Sequence, residues 1–450
     1  MRKNVSLSEI TNKISKVRAC FPYGSVHAVT GGTIEAAGVS PFVSVGAACR
    51  VASGPGEGLY AEVTAIPGKK TILLPYRDDV DVSIGDRVYP MPSAGNIFPH
   101  LSWKGRIVNA LAEPIDGKGE LLCGNVPFSL RASAPDAGKR QRLGKKIALG
   151  VKALDIFTAC RMGQRMGIFA GSGVGKSVLM SMLTRNCEAD VKVIGLIGER
   201  GREVKEFIQD YLGPEGLANA VVIAATGDEL PLMRRRAAYV SLAVAEFFRD
   251  AGMHVLCMID SVTRFALAQR EVGLSADEPP MARGFTPSVF SELPRLLERA
   301  GPGLEDNGSG MITGLFTVLV EGDDHNEPIA DTVRGILDGH IVLERAIGER
   351  GRFPAVNLLK SVSRSMPGCH TPAQLKVVRA AKEMLSVYDD MRELIRLGAY
   401  KRGSDALVDV ALEKVPEIER FLTQAPGERC APETAFAELA KIVGAKMDGA

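Results

Sequence analysis

The sequence is short of the features that mark most specialised chains. Its eight cysteines (20, 49, 123, 160, 187, 257, 369 and 430) are scattered and form no C-x-x-C pair. A disulfide framework and a zinc site of linked cysteines are therefore not expected, and the thiols read as reduced and mostly buried in a cytoplasmic protein. The six histidines show no H-x₃-H or H-E-x-x-H spacing, so a histidine metal site is not expected either. No apolar run approaches the roughly 20 residues of a membrane span. The N-terminus carries basic residues but no apolar core of the kind a secretory signal needs. Charge of neither sign is in excess: the net charge of +2 makes no global case for nucleic acid or a membrane surface. What remains is an ordinary globular composition, 46% hydrophobic and 24% charged, over 450 residues. That length allows two or three domains and a large core.

The chain is organised around residues 165–178, Arg-Met-Gly-Ile-Phe-Ala-Gly-Ser-Gly-Val-Gly-Lys-Ser-Val. Met166 to Ala170 reads as a buried strand, a glycine-rich loop follows, and Lys176-Ser177 opens an apolar helical stretch. Strand, loop and helix in this order are the context of a phosphate-binding motif. Glycines let backbone N–H groups turn inward around phosphate oxygens, and the positive end of the next helix faces the same anion. Ala170, Gly171, Ser172, Gly173, Val174, Gly175, Lys176, Ser177 and Val178 form the candidate nucleotide loop. Lys176 is placed to reach the β/γ-phosphates, and the Ser177 hydroxyl to ligate Mg²⁺. Ala170 departs from the strict pattern, which has glycine there.

Before the loop, residues 1–20 space Val5, Leu7, Ile10, Ile14 and Val17 at near-helical intervals, with Arg2, Lys3, Lys13, Lys16 and Arg18 between them. A frayed terminal helix and a basic amphipathic helix that docks on a partner or an anionic lipid surface fit this pattern equally. From Pro22 to Pro92, short β-rich runs (Gly24–Val29, Phe42–Val51, Ala61–Ile66, Lys70–Leu74, Arg87–Tyr89) are separated by turns such as Ser53-Gly54-Pro55-Gly56, which suggests a small closed barrel. Nucleic-acid binding by such a barrel needs aromatics among basic residues. Only Tyr60 and Tyr76 are candidates, so the barrel reads as a structural collar. The basic run from Lys139 to Lys146 reads as a solvated linker face.

After the loop, strand candidates (Val191–Ile197, Ala220–Ala225, His254–Ile259, Met311–Val320) alternate with helical stretches (Ser177–Cys187, Met233–Arg249, Thr263–Glu271, Pro287–Ala300). This argues for a parallel sheet covered on both faces. From Thr371 the pattern is helical, with turns at Gly398, Gly403 and Pro416. The apolar strand from His254 ends in Asp260, as does the strand beside the phosphate loop in nucleotide motors, where the Asp orients Mg²⁺. Glu199 follows another strand and is placed to polarise a water, although the charged residues crowding it also fit a surface loop. Arg364, in Lys360-Ser-Val-Ser-Arg-Ser, says little by itself.

A family resemblance bears on these residues. Ala170-Gly-Ser-Gly-Val-Gly-Lys-Ser, Gly198-Glu-Arg-Gly-Arg-Glu, Asp260-Ser-Val-Thr-Arg-Phe-Ala and Pro287-Ser-Val-Phe-Ser-Glu-Leu-Pro resemble the protein-export ATPases of type III secretion. So do Glu321-Gly-Asp-Asp-His-Asn-Glu, Ile336-Leu-Asp-Gly-His-Ile, Phe353-Pro-Ala-Val and Gly398-Ala-Tyr-Lys-Arg-Gly-Ser-Asp. The resemblance runs from about residue 24 to 425, and Ala170 is usual in that family. Gly150-Val-Lys-Ala-Leu-Asp-Ile-Phe-Thr and the loop from Lys360 to Met366 look more like its flagellar branch than its injectisome branch.

The resemblance implies an α/β protein, a RecA-like P-loop ATPase core with a small N-terminal β-barrel and a C-terminal helical domain. The expected division is an amphipathic helix at 1–20, the barrel at 21–93, the core with its leading linker at 94–365 and the helical domain at 366–450. The family is similar to the rotary ATP synthase subunits, and this carries roles to matching positions. Lys176 would neutralise phosphate charge, Ser177 and Asp260 would hold Mg²⁺, and Glu199 would position the attacking water. Arg200 would contact the γ-phosphate region, Arg364 would be a finger offered to a neighbour's site, and Phe353 would flank adenine. Gly348 stands where alanine is usual and receives no role. The implied function is Mg·ATP hydrolysis by a homohexameric ring with shared active sites, at the cytoplasmic face of the inner membrane at the flagellar base. Its implied partners are the flagellar export apparatus, an ATPase regulator, stalk proteins, export substrates and their chaperones, with peripheral membrane contact through residues 1–20 and no nucleic acid. The alternatives are an injectisome ATPase, a hexameric RNA motor of the transcription-termination type, and a nucleotide-bound ring component that does not turn over.

Overall fold

A computed structural model of the chain describes residues 22–53, 58–78, 81–91, 95–305, 308–320, 322, 324 and 326–445. The expected helix at 1–20, the turn at 54–56, and Glu321, Asp323 and His325 of the acidic motif lie outside the described residues. The described residues up to 95, with 275–277, form one compact unit, and the rest form a second.

In the first unit six strands close into a barrel: β1 (Gly24–Thr30), β2 (Thr33–Ala37), β3 (Ala48–Ala52), β4 (Leu59–Ala65), β5 (Lys70–Pro75) and β6 (Arg87–Met91). They pair in the order β1-β2-β5-β4-β3-β6, every pair antiparallel, with β6 returning to β1. Alternate residues point inward, so Val26, Ile34, Cys49, Val51, Leu59, Val63, Leu73 and Val88 fill the interior. The run expected as one strand from Phe42 is a short 3₁₀ turn at Ser40–Phe42, and strand begins only at Ala48. Pro41 fixes that turn. β2 was not among the expected strands.

The outer face also departs from the sequence reading. Tyr76 is buried and donates to the Glu62 carboxylate. Pairing instead sets Arg50 directly between Tyr60 and Tyr89. Its guanidinium lies 5.2 Å from the Tyr89 ring, and that of Arg87 lies 5.1 Å from the Tyr23 ring. Basic and aromatic side chains thus do alternate there, through pairing between strands rather than along any one of them.

The second unit is built on one sheet. Its strands are β7 (Arg106–Val108), β8 (Arg165–Ala170), β9 (Val191–Glu199), β10 (Ala220–Thr226), β11 (His254–Asp260), β12 (Met311–Leu319), β13 (Gly339–Leu343) and β14 (Val356–Ser363). The order across the sheet is β14-β13-β8-β12-β11-β9-β10-β7. All neighbours are parallel except β13 and β14. A two-residue strand, Gly301–Pro302, pairs antiparallel with β12. β13 and β14 extend the sheet beyond the strands expected from sequence. Its helices include α1 (Lys152–Phe157), α2 (Lys176–Asn186), α3 (Pro231–Asp250), α4 (Val262–Ser275), α5 (Pro287–Leu297), α6 (Pro328–Ile336), α7 (Pro372–Arg396), α8 (Ala406–Leu422) and α9 (Pro432–Val443), with further short helical turns between them. β8, β11 and β12 are almost wholly buried, as parallel strands covered on both faces must be. No helix among the described residues is long and apolar enough to cross a membrane.

Helix α7 starts at a capping box: the Thr371 hydroxyl accepts from Gln374 N–H, and the Gln374 amide oxygen accepts from Thr371 N–H. Its Val377, Val378, Ala381 and Leu385 are buried, while Leu394 and Leu397 at its far end stay exposed. The turn expected at Pro416 is absent, and α8 continues through that residue. A proline lacks one N–H, and burial of Val415, Ile418 and Phe421 around it holds the helix together.

Gln424 joins this helical tail to the sheet. Its side chain accepts from Lys152 N–H and donates to the Gly150 and Glu428 carbonyls, and its own N–H donates to the Phe353 carbonyl. Gly150 has φ +74°, and a Cβ there would come within 2.3 Å of the Asn186 Cβ, so only glycine fits. The Lys139–Lys146 run is only in part the solvated face expected: Lys139, Arg142 and Lys145 are exposed, while Arg140 and Lys146 are not. Arg140 is drawn in by the Glu298 and Pro135 carbonyls, and Lys146 lies over the Phe436 ring, with burial lowering the pKa of both.

Asp155, on α1, sits under this junction and accepts from Leu149 and Gly150 N–H at 2.7 and 2.8 Å. Burial pushes its carboxyl up to about 6, against those hydrogen bonds and Lys146. A carboxyl with a raised folded-state pKa binds more protons folded than unfolded between about pH 4 and 6. Its contribution is therefore full below pH 4 and fades as pH rises through 6. Denaturation midpoints of the wild type and Asp155→Asn, compared from pH 4 to pH 7, should show wild type losing ground to the variant as pH rises.

Candidate functional site

The site forms where the parallel strands end and their helices begin. β8 carries the chain to Ala170, and the loop that follows turns through Gly173 and Gly175, with φ of +76° and +91°. Gly175 caps α2, so the N–H groups of that helix's first turn are free for an anion. Lys176 and Ser177 are its first two residues. Glu199 ends β9 and Asp260 ends β11, the neighbouring strand.

The Lys176 ammonium lies between these two carboxylates, 2.6 Å from Asp260 and 3.1 Å from Glu199. Burial lowers an ammonium's pKa, but here the two carboxylates outweigh it and the Lys176 pKa is raised. Thr317, on β12, donates to the same Asp260 oxygen at 2.6 Å. Three adjacent strands and one helix thus hold one charge cluster.

A cavity of 710 Å³ opens beside it, lined by Gly171, Ser172, Gly173, Gly175, Lys176, Ser177 and Val178 of the loop, and by Glu199 and Arg200. The Ala170 and Val174 side chains instead point into the core. Arg200 is highly exposed and pairs loosely with Glu203 at 3.6 Å. The half-exposed Phe353 ring stands beside the loop, 3.5 Å from where a Cβ on Gly175 would be. A Cβ on Gly348 would lie 3.4 Å from the same ring, so glycine leaves that ring room where alanine would touch it.

Arg364 is not in this cavity. It is exposed and follows β14, with its N–H donating to the Asp338 carbonyl at the opposite edge of the sheet. β14 runs antiparallel from the Phe353 side to the Arg364 side, and its eight residues, bulged between Asn357 and Val362, pair across Gly339–Leu343 of β13, a span of roughly 13 Å at about 3.3 Å per step. The site residues of one chain therefore fall into two groups, one at each edge.

Several residues at or behind the cavity wall were not anticipated from sequence. Arg345 donates to the Ser172 carbonyl at 2.9 Å and braces the loop. Arg264 lines the cavity, and its Nε is buried without a hydrogen-bond partner. Thr317 orients Asp260. Arg264 lay inside a quoted motif, but nothing in sequence spacing signals the other two, which reach the site through pairing and chain reversal.

The donor set suits a hard cation. Ser177 offers a hydroxyl oxygen and Asp260 a carboxylate. Among the described residues no cluster of three His, Cys, Asp or Glu could hold a metal ion alone. A cation here must complete its shell with substrate oxygens and water, as Mg²⁺ does.

Residues 150–363 match the ATP synthase alpha/beta family, nucleotide-binding domain, and residues 370–441 match the T3SS EscN ATPase C-terminal domain. The chain is 52% identical to the flagellum-specific ATP synthase of Caulobacter vibrioides, over 94% of this chain and 96% of that protein. It is 47% identical to the flagellum-specific ATP synthase of Bacillus subtilis, over 94% and 95%. It is also similar to the assembled ATPase EscN of the enteropathogenic E. coli type III secretion system, solved in complex with its central stalk EscO. That match has a TM-score of 0.84 and 38% identity, covering 93% of this chain and all of that one.

Thr317→Val removes a hydrogen bond to a buried charged group while keeping side-chain shape. It should cost about 1.5–3 kcal/mol of stability, with Thr317→Ser retaining most of it. Chemical denaturation of both variants checks this.

Proposed function

The chain belongs to the family of the flagellum-specific ATP synthases, within the type III secretion ATPases, and on that premise we propose how its residues use ATP. It is an ATP hydrolase that energises export of flagellar proteins through the flagellar type III secretion apparatus. The observation that carries the mechanism is the Lys176 ammonium held between Glu199 and Asp260 at the mouth of the phosphate loop.

The loop N–H groups and Lys176 take the phosphates of ATP. Lys176 leaves Glu199 for the phosphates, and this frees the carboxylate to orient a water for in-line attack. Ser177 and Asp260 hold Mg²⁺, which when bound draws charge from the phosphate oxygens. Arg200 reaches toward the γ-phosphate from the rim, Thr317 fixes Asp260, and Phe353 offers a ring face to adenine.

Arg364 serves a neighbouring copy. Both Glu199 and Arg364 are on one chain but at opposite sheet edges, so identical copies placed head to tail complete one another's sites. A heterologous interface whose rotation closes gives a ring. We take that ring as a homohexamer, acting at the cytoplasmic face of the inner membrane with a stalk, a regulator, cargo and chaperones as partners. Residues 1–20 would supply a membrane or partner contact. The barrel to residue 93, the core to 365 and the helical domain beyond would act as collar, motor and output.

Two experiments test this. Lys176→Ala at the native locus should abolish flagellar filament protein in the medium while the variant persists at normal level, and unchanged export would overturn the reading. Glu199→Ala should lower ATP hydrolysis by about 10²–10⁴, and Arg364→Ala by about 10³–10⁵. Mixing the two variants should restore part of the activity. No recovery in mixed rings shown to form would overturn the shared site.

A further inference from the structure

A second cavity, of 630 Å³, lies at the far end of α2 from the phosphate loop. Three cationic side chains line it, Arg185 near the end of α2, Lys192 near the start of β9 and Arg429 beyond α8, against the one carboxylate of Glu215. Asn219, whose carbonyl accepts from Lys192 N–H, and Gly213 complete the wall.

These cations are under-served. The Arg185 Nη2 donates to the Asp210 carbonyl at 3.2 Å, but its Nε is buried with no partner. Lys192 is half-buried, and burial lowers its pKa; Cys187 opposes this, the nearby Arg429 adds to it, and Asp190 opposes it less. Convergent cations with unfilled hydrogen-bonding capacity are the arrangement that takes a multiply charged oxyanion, since charge-assisted hydrogen bonds are about twice as strong as neutral ones.

We propose that this cavity is a second anion site, separate from the nucleotide site, that binds a small polyphosphate-type oxyanion between Arg185, Lys192 and Arg429. Its placement gives it a route to the nucleotide. α2 runs from Lys176 in one cavity to Arg185 in the other. The π-helical turn at Phe207–Leu212 does the same, with Tyr211 lining the nucleotide cavity and Leu212 the basic one. Arg429 follows Gln424, which holds the Phe353 carbonyl. An anion bridging Arg185 and Arg429 would tie the tail to the helix that starts at the phosphate loop.

The test is calorimetric titration of the full chain with inorganic pyrophosphate, with the nucleotide site kept saturated by Mg·ADP. Lys192→Gln and Arg429→Gln should each weaken this binding by about tenfold, the loss of one charge-assisted contact. Lys192→Arg should keep it. Pyrophosphate should also bind the Lys176→Ala chain within about twofold of the parent, because the sites are separate. Unchanged affinity in both glutamine variants would overturn the proposal. So would loss of all pyrophosphate binding in Lys176→Ala, since the ligand would then have been in the nucleotide cavity. Titration with a glutamate-rich peptide in place of pyrophosphate separates the sources: tighter binding of the peptide would replace a phosphate ligand by an acidic protein partner.

Discussion

One buried ammonium group sets the terms for this molecule. Lys176 lies between Asp260 and Glu199, and Thr317 fixes the first of these from a third strand. A buried ion pair is poor evidence of stability, because desolvation cancels much of the attraction, yet removing one partner leaves a stranded charge. The ammonium is met by both carboxylates at once and so ties the ends of β9 and β11 to the start of α2.

The direction of β14 is the second constraint. Every other long strand of the sheet is parallel and ends at the nucleotide edge, where helix N-termini gather. β14 alone leaves that edge, beginning beyond Phe353 and delivering Arg364 to the other side. A single strand reversal thus separates Arg364 from the other expected site residues of the same chain.

Much of this was legible in the sequence, for physical reasons. The phosphate loop with its flanking strand and helix is a local pattern legible from spacing, and the strands before Glu199 and Asp260 were legible as apolar runs, while the roles expected of those two carboxylates came from the family resemblance. What escaped depends on pairing or on long-range packing. β13 is only five residues long, and β14 carries Lys360 and Ser363 among its apolar residues, so neither shows a clean period. Arg345 reaches Ser172 across 173 residues of chain. The alternation of Tyr60, Arg50 and Tyr89 exists only once β4, β3 and β6 are side by side. At Pro416 tertiary burial overrode a local turn signal, and within the basic run at 139–146 it drew in Arg140 and Lys146 while Lys139, Arg142 and Lys145 stayed exposed.

Gln424 has a consequence for how the protein comes into being. The Gly150 carbonyl and Lys152 N–H flank the start of α1, deep in the sheet's own unit, and both bond this one amide from the tail, the carbonyl accepting from the Asn186 amide as well. During synthesis the ribosome releases the phosphate loop, the sheet and Phe353 well before residue 424. Until the tail arrives, Lys152 N–H lacks its Gln424 partner and the Phe353 carbonyl lacks this anchor. An unfinished chain therefore lacks the hydrogen bond that holds the Phe353 backbone beside the phosphate loop until its helical tail has been made.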